Sequence, residues 1–205
     1  IDTPAQIKLV EEIFKNTSLC KVKVLASLTK GLEGSSLSPM AELKQAGAKA
    51  LTNCLNPIKD PLVLRRAMEY ATGQDITIFY QPQNNYLANN GCVHEGKISG
   101  KLGLPGIPSA AESVAVAEAI LLSKLTNSRL HLCRVSCLES LILIQNAQSE
   151  GLSVTSDVAI HQLFFDEKSI ENFNSDYHVM PPFRSNEDLV ALQQAASKKT
   201  ITAIC

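Results

Sequence analysis

Residues 129–158, RLHLCRVSCLESLILIQNAQSEGLSVTSDV, decide the fold. The run RLHLCRVS at 129–136 is apolar and strand-like, as a strand buried on both faces must be. CLESLILIQNAQSE at 137–150 changes to helical spacing and stops at Gly151, a residue type that readily takes the left-handed conformation closing a helix. LSVTSDV at 152–158 returns to a strand. Strand, helix and strand in close succession make one parallel unit with a right-handed crossover.

The same alternation extends in both directions. Before this unit, TPAQIKLVEEIFKN at 3–16 places Ile7, Val10, Ile13 and Phe14 on one helical face, and KVKVLASL at 21–28 is β-rich. SPMAELKQA at 38–46 predicts a helix with Ser38 as N-cap and Pro39 in its first turn, stopped at Gly47. AKALTN at 48–53 is a short apolar run, DPLVLRRAMEYAT at 60–72 a helix capped by Asp60 and ended by Gly73, and DITIFYQ at 75–81 a strand. A polar loop rich in Asn and Gly leads to a long helix, PSAAESVAVAEAILLSKLTN, at 108–127. Beyond the opening unit, 162–184 is irregular and contains Pro181-Pro182. SNEDLVALQQAASKK at 185–199 is a helix capped by Ser185, and TITAIC at 200–205 begins another strand.

Six strands alternating with helices define an α/β chain with a parallel sheet. A doubly wound sheet and part of a (β/α)8 barrel both fit this order. The G-x-G-x-x-G turn of a dinucleotide fold follows none of the strands, and GLPGIP at 103–108 opens a helix without following one. The barrel is therefore expected. A closed barrel needs all its strands, since a gap leaves unpaired backbone edges. Residues 1–205 are accordingly expected to be an internal part of a single barrel domain, about six of eight strands, with N-terminal and C-terminal parts absent.

Composition narrows the function classes. Nineteen basic residues against twenty acidic ones give a net charge of -1, without the basic excess that phosphate binding demands, so no nucleic-acid partner is expected. No apolar run reaches the roughly 18 residues of a membrane helix, so no membrane partner is expected either. The six cysteines follow no disulfide or zinc-finger spacing, which points to a reducing cytoplasm.

In a (β/α)8 barrel, chemistry sits at the C-terminal ends of the strands. Here those ends offer Asn53-Cys54, Gln81, Arg134 to Ser136, and Asp157 to His161. A hydrolytic metal centre requires imidazoles, carboxylates or thiolates. Asn and Gln amides are neutral and poor ligands, and the Arg134 guanidinium offers no lone pair and repels a cation. His131, inside an apolar strand, reads as structural; Asp157 and His161 suit either acid–base work or a hydrogen bond that fixes the loop. His94-Glu95, flanked by Gly91 and Gly96, reads as turn-building, and His178 as exposed surface.

Three longer motifs carry a resemblance. NNYLANNGCVHEGKISGKLGLPGIPSAAE, RLHLCRVSCLESLILIQNAQSEGLSVTSDVAIHQLFF and VMPPFRSNEDLVAL contain, in order, G-x-P-x-x-A-E, H-x-x-x-V-S and P-P-[LF]-R. Together they resemble the dihydroorotases of the amidohydrolase superfamily, class I, the type that associates with aspartate transcarbamoylase. The resemblance covers essentially the whole chain. It implies a TIM barrel and, in active members, zinc-supported ring closure of N-carbamoyl-L-aspartate to L-dihydroorotate. The family's strand-four Asp-Asp element aligns with Asn53-Cys54, its H-x-E-D with Gln81-Pro82-Gln83-Asn84, and the second His of its H-x-x-H-V-S with Arg134. One His of its P-H-H-L is kept, as His161.

The resemblance therefore implies a degenerate metal site at Asn53, Gln81 and Arg134, with no catalytic or metal-binding residue in this window. His131, Asp157 and His161 remain as polar pocket residues. The expected function is a noncatalytic dihydroorotase-like subunit of pyrimidine biosynthesis, itself a homo-oligomer, supporting the aspartate transcarbamoylase catalytic subunit without a cofactor. The alternative is an active zinc-dependent dihydroorotase with a reduced metal site. A third reading, a ligand pocket in which Arg134 binds a carboxylate, competes with Arg134 as a simple plug.

Overall fold

In the computed structural model, which describes residues 1–17 and 20–205, all six strands expected from the sequence are present. In chain order the elements are α1 (Pro4–Thr17), β1 (Leu25–Ser27), α2 (Met40–Gln45), β2 (Ala50–Thr52), α3 (Pro61–Gly73), β3 (Thr77–Tyr80), α4 (Asn85–Ala88), β4 (Val93–His94), α5 (Lys97–Leu102) and β5 (Gly106–Ile107). Then follow α6 (Ala110–Thr126), β6 (Leu130–Leu132), α7 (Leu138–Ser149), β7 (Val154–Val158), α8 (Asn186–Ser197) and β8 (Ala203–Ile204). Three 3-10 turns, Ile160–Leu163, Glu167–Ile170 and Ser175–Tyr177, occupy the stretch expected to be irregular.

The chain divides into two compact units, residues 1–81 with 121–131, and residues 82–120 with 132–205. In the first unit β1, β2 and β3 pair in parallel, with Leu25 opposite Ala50 and Ala50 opposite Thr77. Ile78 N donates to Arg129 O at 3.0 Å, immediately before β6. Leu28, Leu51, Ile78 and Leu130 are fully buried, as are Met40 and Leu43 of α2 and Leu64 and Met68 of α3. Burying each such side chain contributes about 1.5–3 kcal/mol, so the helices are held by their inner faces.

Asp60 caps α3 as expected: its Oδ1 accepts from Leu62 N at 2.8 Å, and Pro61 follows where a missing N–H costs nothing. The cap expected at Ser38 is not formed. Pro39 is the N-cap of α2, and Ser38 Oγ is buried without a hydrogen-bond partner. Met40 N instead turns back onto the Ser38 carbonyl at 2.8 Å, so the backbone takes the bond the hydroxyl was expected to make.

In the second unit β7 and β8 are parallel, with Asp157 opposite Ala203, and Val135 N donates to Asp157 O at 3.0 Å. Ser185 opens α8 in a capping box with Asp188, whose other oxygen accepts from Leu138 N at 2.9 Å at the start of α7. One carboxylate thus serves two helix N-termini. The strand pair β4–β5 was not visible in the sequence, because two residues carry no periodicity. Glycine makes it possible: a Cβ on Gly106 would stand 2.6 Å from Glu95 Cα, and one on Gly91 2.5 Å from Gly106 O.

Candidate functional site

The six residues singled out from the sequence fall into both units. In the first, Asn53 follows β2 and is 2% exposed. Its Oδ1 accepts from Thr29 Oγ1 at 3.0 Å and its Nδ2 donates to Asn56 O at 2.8 Å, so both ends of the amide are engaged locally. Gln81 follows β3, buried, with its Oε1 lacking a hydrogen-bond partner. His131 lies inside β6, and its ring sits 4.3 Å from that of Phe79, centroid to centroid.

In the second unit Arg134 follows β6 with φ of +51°, and its backbone N donates to Asp157 Oδ1 at 2.6 Å. The same oxygen accepts from Cys205 Sγ at 3.5 Å, and Cys133 Sγ lies within 4.8 Å of the carboxylate. His161 packs edge-on against Phe183 at 5.5 Å. Its Nε2 is buried without a hydrogen-bond partner, so this nitrogen does not fix the loop; the orienting contact to Asp157 comes from the Arg134 backbone. Burial, and then the charge of Arg134, hold His161 below the ordinary histidine pKa. Burial, then the charge of Asp157, pushes the Cys205 thiol up.

The metal implied by the resemblance is zinc, and the donors at the three aligned positions do not fit it. Asn53 has both amide ends committed, Gln81 is neutral, and Arg134 is a permanent cation. Donor types suited to zinc do occur at other strand positions: Cys133 and Asp157 in the second unit, and His131 in the first.

A second cluster was not singled out from the sequence, although its residues stand at the ends of the three quoted motifs. Glu112 closes G-x-P-x-x-A-E, Ser136 closes H-x-x-x-V-S, and Arg184 closes P-P-[LF]-R. All three are at most 3% exposed. The Glu112 carboxylate accepts from Ser136 N at 2.9 Å, from Ser136 Oγ, from Cys137 N at 3.3 Å and from Cys137 Sγ at 3.4 Å. Arg184 donates through Nε to Ser136 Oγ at 3.0 Å and through Nη1 to Ile107 O at 2.8 Å, with Nη2 3.8 Å from Glu112 Oε2.

Arg184 Nη1 also stands 3.3 Å from His94 Nδ1. Burial first, then the Arg184 charge, lowers the pKa of His94; because a guanidinium can only donate, Nδ1 is the acceptor in this contact. His94 therefore belongs to β4 and to this cluster, where the sequence suggested a turn. Burial and then Glu112 push the Cys137 thiol far up, so it is inert as a nucleophile. The cluster is closed and mutually satisfied. Its chemistry is structural: it ties β4, β5, α6, the segment between β6 and α7 and the segment before α8 to one buried ion pair.

The parallel strand–helix order and this placement of the strand ends define part of a TIM barrel. The L-hydantoinase (dihydropyrimidinase) of Arthrobacter aurescens matches with a TM-score of 0.81 at 19% identity, over 98% of this chain and 46% of that one. A D-hydantoinase from Bacillus sp. AR9 matches with a TM-score of 0.68 at 19% identity, over 89% of this chain and 41% of that one. The chain belongs to the dihydro-orotase-like family, whose model matches residues 2–140. It is 37% identical to a dihydroorotase-like protein of Pseudomonas aeruginosa, over 100% of this chain and 48% of that protein. It is 38% identical to a dihydroorotase of Desulfotalea psychrophila, over 90% of this chain and 44% of that one. The chain thus spans about half the length of these relatives. Among the described residues no helix is long and apolar enough to cross a membrane.

Proposed function

We propose that the chain is part of a noncatalytic dihydroorotase-like subunit of pyrimidine biosynthesis, acting in the cytoplasm as a homo-oligomer that supports assembly of aspartate transcarbamoylase. The observation that carries this reading is the chemistry of Asn53, Gln81 and Arg134, above all Asn53, whose amide is spent on Thr29 and Asn56. Zinc hydrolysis depends on a bound water whose pKa falls to about 7, which needs a firmly held ion. An amide locked into two neutral hydrogen bonds and a guanidinium supply no such hold. The partner follows from the resemblance, and its role is to stabilise by burying interface.

A second reading is an active dihydroorotase with a reduced metal site, favoured by the donor types at Cys133 and Asp157. One experiment separates the two. The full-length protein, supplied with zinc, is assayed for dihydroorotase turnover and its zinc content is measured. The noncatalytic reading expects neither turnover nor stoichiometric zinc. Turnover within about tenfold of the common enzymatic range of 1–1000 per second overturns it. Retention of aspartate transcarbamoylase on the tagged full-length protein tests the partner, and its failure to bind removes that part of the proposal.

A further inference from the structure

A surface cavity of about 210 Å³ lies in the second unit and uses none of the strand-end residues. Val93 of β4, Leu104 and Ile170 form an apolar wall, and Phe173, Ser175 and His178 also line it. Val93 and Ile170 are 6% and 7% exposed, so this wall belongs to the packed interior of the unit. Ser175 and His178 are exposed and are joined through the backbone, His178 N donating to Ser175 O at 3.0 Å. Their side chains add hydrogen-bonding groups to the apolar wall, the combination typical of small-molecule sites.

Phe173 is the unusual member. Its backbone is left-handed, with φ of +54°. L-residues avoid that region, and Gly and Asn accept it most readily. Asparagines stand on both sides, at 172 and 174, and neither takes the left-handed conformation. Phe173 is 64% exposed, so burial in the core does not account for its placement. A turn that an asparagine could close at lower cost instead sets an aromatic ring against an apolar cavity. We propose that this cavity binds a small planar aromatic molecule carrying a hydroxyl or amide, with Phe173 as its outer wall and Ser175 and His178 holding the polar substituent. An apolar cavity of about 150 Å³ accommodates benzene, so this one has room for a ring and one substituent. The ligand ring gains from stacking or edge-on contact with Phe173. A partner helix docks through several side chains spaced along a groove, which this volume does not hold. The proposal does not depend on whether the protein is catalytic.

The test uses the full-length protein and 4-fluorophenol, read by the broadening of its fluorine-19 line. Wild type is expected to bind it saturably, with a Kd of about 1 mM or tighter. Phe173→Gly removes the ring and suits the left-handed backbone, and should bind at least about fivefold more weakly. Leu104→Trp fills the cavity and should abolish binding; Ser175→Trp, at an exposed position, takes its place if that variant does not fold. Thermal unfolding checks each variant. Cyclohexanol, similar in size but not planar, should compete at least about fivefold less effectively than phenol. The proposal is overturned if wild type shows no saturation by about 10 mM, if Phe173→Gly or the filled variant binds as well as wild type, or if cyclohexanol competes equally. Absence of 4-fluorophenol binding together with a lower oligomeric state in Phe173→Gly would assign this face to a second copy of the chain and would equally overturn it. Dihydroorotase turnover by wild type would sink the noncatalytic reading and leave these binding measurements intact.

Discussion

Replacing Glu112 by alanine removes the acceptor shared by Ser136 N, Ser136 Oγ, Cys137 N and Cys137 Sγ. It also leaves Arg184, whose side chain is 2% exposed, without its carboxylate. Removing one partner of a buried ion pair costs about 3–5 kcal/mol, because the other charge stays buried and uncompensated. The two stranded backbone N–H groups act in the same direction. A loss of about 4 kcal/mol is a large part of the 5–15 kcal/mol that typically holds a domain together. With a urea m-value of about 2 kcal/mol per molar, the unfolding midpoint of the full-length protein should fall by about 2 M, read by far-ultraviolet circular dichroism. The double variant Glu112→Leu with Arg184→Met leaves neither charge behind and should recover a substantial part of the loss. A midpoint shift below about 0.3 M for Glu112→Ala, or a double variant no better than the sum of the singles, would refute the cluster as a stabilising unit.

Three further outcomes are expected. Asn53→Asp should destabilise by about 1–3 kcal/mol, because it removes the donor to Asn56 O and buries a charge at a site 2% exposed; a neutral or stabilised variant in thermal melts would contradict this. Because the folded pKa of His94 lies below its unfolded value of 6.5, the unfolded chain takes up the proton first, so stability is intact above about pH 6.5 and is lost as pH falls from there through the depressed value. A His94→Gln protein should lose part of that slope in melts from pH 7.5 to 5, and an unchanged slope counts against it. In a thiol-labelling time course on native protein, exposed Cys54 should react readily while buried Cys137 reacts only on unfolding; comparable rates would exclude the closed cluster.

The fold was legible in the sequence wherever a segment was long enough to show a period. The six sheet strands and the helices around Pro61–Gly73, Ala110–Thr126 and Asn186–Ser197 emerge within a few residues of their expected limits. What escaped was short or local. Strands β4 and β5 are two residues each, and α4 and α5 span four and six residues inside a loop that reads only as polar. Ser38 shows the limit of cap chemistry, since a backbone turn pre-empts a side chain of the right type. The strand-end positions could be read from the order of strands, but the commitment of Asn53 to Thr29 and Asn56 depends on contacts up to 24 residues apart. The motif endpoints Glu112, Ser136 and Arg184 carried the clearest overlooked signal: each closes a motif, and no spacing within one motif reveals that they meet.

The reach of Arg184 has a consequence for how the chain is made. Its acceptors lie 48, 77 and 90 positions upstream, at Ser136, Ile107 and His94. A polypeptide emerging from the ribosome therefore carries the Glu112 carboxylate and its surrounding hydroxyl and amides for a long interval before the matching cation is synthesised. Until then that anion has reason to stay hydrated, and the segments it will later lock together are held apart by their own solvation. Final closure of the second unit cannot precede the synthesis of Arg184, and a nascent chain cut short of it should remain open to proteases.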